Sequence, residues 1–258
     1  MTGVLPITIE ESRRVVQALL YSGKEYICVM KVHGEAEEKD VRRVLADFEG
    51  SIYQRPPLRS SVKRQLRVRK IYYIDMTELE GRNVLFKVGC EAGTYIRKLC
   101  HDIGEILGCG AHMQELRRTR AGPFSENEKT VTLHDVAYWF AEWQRERDDE
   151  ILKKFITPME YALNLLPQVH IRDSAVDAVC HGANLTAPGV LSLDDSIETG
   201  STVAVLSLKG EAVALARALA NSETVLNMDH GIVAKTERVL MPRGTYPKAW
   251  KSGESSDG

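Results

Sequence analysis

Three short stretches of this sequence concentrate side chains able to do chemistry. The first is Gly23-Lys24-Glu25-Tyr26, and the second is Gly93-Thr94-Tyr95-Ile96-Arg97-Lys98-Leu99. The third runs from Gly110-Ala111-His112-Met113 through Leu116-Arg117-Arg118-Thr119-Arg120 to Ala121-Gly122-Pro123-Phe124. Tyr95 and Arg97 fall where a strand pattern gives way to a helix pattern, a junction that commonly presents functional groups. Each stretch is weak evidence alone, since a strand tyrosine is usually core and a helix-start arginine usually a surface residue.

Charge gives the set a direction. The 258 residues carry a net charge of −2, but positions 51–124 hold 14 Lys/Arg against 7 Asp/Glu, a balance of +7 that leaves −9 for the remainder. Residues 51–74 contain no acid, and within them Arg55, Arg59, Lys63, Arg64, Arg67, Arg69 and Lys70 surround Pro56-Pro57. The proline pair enforces extended backbone. An extended cationic segment on an acidic body suits a polyanion-binding face, against the plainer reading of a solvated charge cluster.

Composition excludes other classes. No apolar run approaches the roughly 20 residues that cross a bilayer, and no signal-peptide layout opens the chain, so a soluble, cytoplasmic protein is expected. Five scattered cysteines with no C-x-x-C pair argue against a disulfide framework, and the spacing of Cys100, His101, Cys109 and His112 fits no common metal site.

The elements that must position these residues follow from periodicity. Thr8 and Glu11 read as a capping box before a helix bearing Val15, Val16, Leu19 and Leu20. A strand over 25–33 turns Tyr26, Cys28, Met30 and Val32 to one side, and Val41, Val44, Leu45 and Phe48 give a second helix ended by Gly50. Strands at 71–79 and 83–91 join at Glu80-Gly81. A helix at 94–107, a strand at 113–119 and a helix at 132–146 capped by Thr132 and Asp135 follow. Pro158 and Pro167 bracket a short connecting helix. Beyond it, a helix from Asp173 to His181 precedes short strands at 190–193, 202–208, 211–217 and 231–240. The expected domains are 1–166 and 167–250, with 251–258 a disordered tail.

In this order and spacing the three stretches resemble the TruB family of pseudouridine synthases, and the resemblance runs to the closing Met241-Pro242-Arg243 and Tyr246-Pro247-Lys248-Ala249-Trp250. The segment Arg55-Pro56-Pro57-Leu58-Arg59-Ser60 is similar to the archaeal and eukaryotic dyskerin branch. His181-Gly182-Ala183-Asn184-Leu185 with Pro188-Gly189 resembles a PUA domain, which grips RNA. The resemblance implies an α+β fold: a mixed, mostly antiparallel synthase sheet flanked by helices, then a small PUA β-barrel. It implies an isomerase that detaches uracil from its ribose, turns it and rejoins it through carbon 5, with no metal or organic cofactor. Tyr26 would stack on the flipped base, Tyr95 would assist proton removal from carbon 5, and Arg97 would hold the catalytic aspartate charged. Arg55, Arg59, Lys63, Arg64, Arg67, His112, Arg117, Arg118 and Arg120 would contact RNA in the first domain, and His181, Gly182, Ala183 and Asn184 in the second. The implied partners are a box H/ACA guide RNA, substrate rRNA or tRNA, a small zinc-ribbon protein, a small β-barrel protein and a kink-turn-binding ribosomal-type protein.

One departure stands out. The family's catalytic aspartate lies in a Gly-x-Leu-Asp-Pro loop running into Thr-Gly-Val-Leu-Pro, and this sequence opens Met1-Thr2-Gly3-Val4-Leu5-Pro6. Glu10 and Glu11 belong to the following helix. Read so, the nucleophile, the first strands of the sheet and the extension that packs on the PUA domain are absent, and the chain alone is expected to be inactive. The alternatives are a non-catalytic RNA-binding protein and a stand-alone tRNA pseudouridine synthase.

Overall fold

The computed structural model describes residues 1–56, 63–128 and 130–248. Arg59 and the expected tail at 251–258 lie outside the described residues. Two compact units emerge, Met1–Ile7 with Leu19–Ile156, and Thr8–Ala18 with the chain from Thr157 on.

The first unit is built on β1 (Thr2–Gly3), β2 (Lys24–Val32), β3 (Gly50–Gln54), β4 (Arg67–Glu80), β5 (Asn83–Cys90), β6 (Ala111–Ala121) and β7 (Phe124–Ser125). They hydrogen-bond in the order β1-β6-β2-β5-β4-β3, with β7 on β6. Only β1 runs parallel to its neighbour. One face is apolar: Cys28, Met30 and Val32 from β2 and Val84, Phe86 and Val88 from β5 are buried with residues of α2 (Glu38–Asp47) and α3 (Ile96–Leu107). The period of two that singled out the even residues of β2 is therefore the period of the core.

Local chemistry sets the boundaries. The turn after β4 is Gly81-Arg82 rather than Glu80-Gly81, with Gly81 at φ 56°. Gly50 does not end α2. The helix stops at Asp47, and Gly50, at φ 99°, opens β3. The capping box at Thr8 and Glu11 does not form either. Ser12 instead accepts from the Ile9 amide at 2.8 Å and donates to its carbonyl, starting a 3-10 turn, Glu10–Val15, that leads into α1 (Val16–Tyr21). At α4 (Leu133–Glu146) the predicted box is present: Thr132 Oγ1 accepts from the Asp135 amide, and Asp135 accepts from the Thr132 amide.

The second unit carries α5 (Glu160–Leu163), β8 (Gln168–Ile171), α6 (Asp173–Cys180), β9 (Leu185–Thr186), β10 (Val190–Leu193), β11 (Thr202–Leu206), β12 (Ala212–Ala218), α7 (Ser222–Leu226) and β13 (Ile232–Val239). The strand order is β10-β8-β11-β12-β13-β9. Val203, Val205, Val213, Ala214 and Ala216 pack with Val176 and Val179 of α6. The unit takes up the chain again at Thr157, and within it the Glu160 carboxylate accepts the Ala212 amide at 3.0 Å, tying α5 to β12.

Candidate active site and RNA-facing groove

The Gly23–Tyr26 stretch divides its side chains between tasks. Lys24 Nζ donates to the carbonyls of Leu19, Leu20 and Ser22 at 2.6–3.1 Å, closing the C-terminal end of α1. Glu25 and Tyr26 then point to opposite faces of the sheet. Tyr26 lies on the helix-covered face, partly buried against the core. Burial pushes its hydroxyl pKa up, and the nearby positive charge of Arg118 partly opposes this.

Glu25, on the other face, is 9% exposed and accepts from Thr119 Oγ1 at 2.6 Å and from the Tyr73 hydroxyl. Lys87 Nζ lies 3.1 Å away and Arg120 at 3.7 Å. Burial alone would raise the Glu25 pKa, but the bonds from Thr119, Tyr73 and Lys87 hold it below its ordinary value. Burial and the bond to Glu25 push the Tyr73 hydroxyl up to about 12. Gly89, opposite both Glu25 and Tyr73, leaves room for the tyrosine ring: a Cβ there would come within 2.4 Å of it.

A register shift explains where the arginines go. Glu25 pairs with Arg120 and Tyr26 with Arg118, so Thr119 is an extra residue in β6, a bulge. Arg118 therefore shares the face of Tyr26. Its Nε donates to the Val4 carbonyl at 2.6 Å, and its own carbonyl accepts the Val4 amide at 2.8 Å. Arg120 joins the Glu25 cluster, and Arg117 pairs with Glu126 at 2.7 Å. The three arginines that read as one RNA-binding run thus divide among three local partners.

The second stretch begins where β5 ends at Cys90. Gly93, at φ 80°, allows the tight turn into α3, and Thr94 Oγ1 donates to the Glu91 carbonyl at 2.7 Å. Tyr95 is the residue before the helix. It has no side-chain cap, but Gln54 of β3, 2% exposed, accepts its amide at 2.9 Å and donates to its carbonyl at 3.2 Å. Lys24 pairs with Cys90, so the turn carrying Tyr95 leaves the sheet at the end of β2 that holds Tyr26.

Arg97 is exposed and lines a groove of about 1090 Å³ together with Arg55, Arg64, Lys98, His101 and His112. Among the described residues its side chain has no hydrogen-bond or ion-pair partner. Tyr53, Ile52, Leu66 and Pro56 supply the groove's apolar wall, and Asp47, Asp102 and Glu105 its acids. His112 also meets His33, ring nitrogen to ring nitrogen at 2.8 Å. Of the other predicted cations, Lys63 is exposed and its carbonyl lies 3.5 Å from Arg67. Arg69 is committed to Glu91 at 3.2 Å.

In the second unit, His181 closes α6, with Nδ1 2.8 Å from the Asp177 carbonyl, and Gly182 follows at φ 90°. Asn184 and Ala183 accept from the amide and hydroxyl of Thr236. His181 and Gly182 line a cavity of about 360 Å³ with Arg14, Met241, Pro242 and Arg243. Arg14, which donates to the Val239 carbonyl at 3.1 Å, was not legible as a member of this site because that partner lies 225 residues away in sequence. Gln54, Tyr73 and the structural task of Glu25 were missed for a similar reason, since the partners are 41 and 48 residues away.

Comparison with known proteins decides the family. The profile described as the N-terminal domain of TruB family pseudouridylate synthase matches residues 1–96, and that of the tRNA pseudouridylate synthase B C-terminal domain matches 97–164. This chain belongs to the TruB family of pseudouridine synthases. The PUA domain profile covers residues 167–240 of the synthase. A probable tRNA pseudouridine synthase B of Methanopyrus kandleri is 57% identical over 97% of this chain and 74% of its own length. One of Methanosarcina acetivorans is 54% identical over 99% and 75%. A solved Cbf5-Nop10-Gar1 complex superposes with a TM-score of 0.92 at 53% identity, covering 95% of this chain and 75% of that one. An H/ACA RNP bound to a substrate RNA containing 2'-deoxyuridine gives 0.90 at 50% identity, over 96% and 75%.

Proposed function

We propose that this synthase is the catalytic subunit of a box H/ACA guide-RNA complex that isomerises uridine to pseudouridine in rRNA or tRNA. The observation that carries this reading is the likeness, over nearly the whole chain, to a ribonucleoprotein of that kind holding substrate RNA. Both units contribute. The groove lined by Arg55 and Arg64 tracks a phosphate backbone, and the cavity around His181, Arg14 and Arg243 takes the end of the guide RNA. Nop10 and Gar1, which accompany the similar Cbf5 chain, are the partner types expected here, together with a kink-turn-binding protein.

The site residues act as the resemblance implies. The target base leaves its stack at a cost of a few kcal/mol and lands on Tyr26, which lies opposite Arg118 across the β2–β6 pair. Tyr95 stands beside it to help remove the proton at carbon 5, and Arg97 is the cation for the reacting carboxylate. That carboxylate belongs to the Gly-x-Leu-Asp-Pro loop, which in the family leads directly into Thr2. This reading is supported by the pairing of β1 with Arg117 and Arg118, since Arg118 is the strand partner of Tyr26.

The reaction replaces the C5–H bond by a C–C bond, so RNA tritiated at uridine C5 releases its label to water. The assay uses the synthase with the Gly-x-Leu-Asp-Pro loop joined ahead of Thr2, supplied with guide RNA and the partner proteins, or with tRNA alone. Release that requires the guide RNA supports the guided reading. Equal release on tRNA alone favours the stand-alone enzyme, and no release under either condition overturns the catalytic reading.

A further inference from the structure

Gln54 is a neutral amide buried to 2% exposure at the end of an edge strand, and it spends both halves of its side chain on one distant residue. An apolar side chain would fill that volume as well. A buried amide is tolerated only where its donor and acceptor are both satisfied, and here Tyr95 satisfies both. The two bonds grip the amide and carbonyl on either side of the Tyr95 Cα. They hold its backbone at φ −95°, ψ 99°, a conformation that no cap of the helix's own supports. The Tyr95 carbonyl also accepts the Leu99 amide, the first bond of α3, so the same grip sets where the helix begins. Gln54 is followed directly by Arg55 and Pro56, which line the cation-rich groove with Arg97.

We propose that Gln54 is a positioning residue of the synthase: it holds Tyr95 and the first turn of α3 in place, and it links the position of the groove-lining segment at Arg55 to them. Without this clamp the groove still binds RNA, but the aromatic beside the extruded base is no longer set. The proposal rests on the reading above that Tyr95 stands beside that base.

The test uses the full chain and an RNA hairpin carrying 2-aminopurine next to an unpaired uridine, a probe that brightens when its neighbour leaves the stack. Anisotropy of the same RNA gives the affinity, and thermal melts report the fold. Gln54→Ala should leave Kd within about threefold of wild type while the fluorescence rise falls at least fivefold. Gln54→Glu keeps the acceptor for the Tyr95 amide but loses the donor to its carbonyl. It should show the same defect at pH 8, and regain most of the signal relative to wild type near pH 5.5, because burial raises the pKa of the introduced carboxyl and its protonated form donates again. Combined with Tyr95→Ala, Gln54→Ala should add nothing further. Wild-type signal in both Gln54 variants overturns the proposal, as does a parallel loss of affinity, signal and melting temperature without recovery at low pH. The underlying reading fails separately, and takes the proposal with it, if wild type gives no signal or Tyr95→Ala leaves the signal unchanged.

Discussion

Replacing Glu25 by glutamine tests whether the polar face of the synthase sheet holds the reactive face in register. The carboxylate, 12% exposed at its side chain, accepts from Tyr73 and Thr119 and faces Lys87 and Arg120, themselves 45% and 48% exposed. Glu25→Gln keeps the shape and removes the charge: one hydroxyl still donates to the amide oxygen in a neutral bond, while the other meets the amide NH2 and must accept instead, at about 1 kcal/mol each. The ion pairs add less than about 1 kcal/mol, since both cations keep much of their water. The sum is about 2–3 kcal/mol, which lowers the melting temperature of a unit this size by about 5–10 °C.

The pH dependence gives the sharper test. The folded pKa of Glu25 is depressed below its ordinary 4.5, so its contribution is fully present above that value and is lost as pH falls through the folded pKa. Wild type and Glu25→Gln should therefore differ most above 4.5 and converge as pH falls through the folded pKa below it. Hydrogen exchange of peptides covering β2 and β6 isolates the first unit from the second. A melting shift under about 2 °C, or a difference that persists unchanged at about pH 3, would refute the reasoning.

Further outcomes follow from the same structure. Arg55→Ala with Arg64→Ala should flatten the slope of log affinity against log salt by about two, measured by RNA binding from about 50 to 200 mM salt. Gly89→Ala should destabilise the first unit by about 1–3 kcal/mol in urea melts, because its Cβ meets the Tyr73 ring. A fragment starting at Thr157 should be about 1–3 kcal/mol more stable than one starting at Pro167, because the latter leaves the Ala212 amide without Glu160. In the synthase carrying the Gly-x-Leu-Asp-Pro loop, Arg97→Ala should cut tritium release at least about 100-fold with little change in RNA affinity.

What was legible in the sequence was what is encoded locally. The box of Thr132 and Asp135 lies within a single helical turn, and the alternation of Cys28, Met30 and Val32 within a single strand, so neither needs a distant partner to be read. β3 was hidden because the prolines and cations that follow it dominate the segment, and its pairing with β4 is what makes it a strand. The bulge at Thr119 was hidden for a deeper reason. Nothing in Arg117-Arg118-Thr119-Arg120 marks an extra residue; the skip exists only relative to β2.

That skip has a consequence for the site. In unbroken pleating, Arg118 and Arg120 would point the same way. The bulge sends Arg118 to Tyr26 and Arg120 to Glu25, and the Thr119 hydroxyl bonds Glu25 from within the bulge itself. Of the residues that the resemblance assigns to chemistry, Tyr26 lies opposite Arg118 across the strands and Tyr95 is held through its backbone by Gln54, and the resemblance assigns neither partner to catalysis. A family motif names the groups that the resemblance assigns to the base. The geometry that holds them comes from contacts across the sheet, which is why the motif could be read without it.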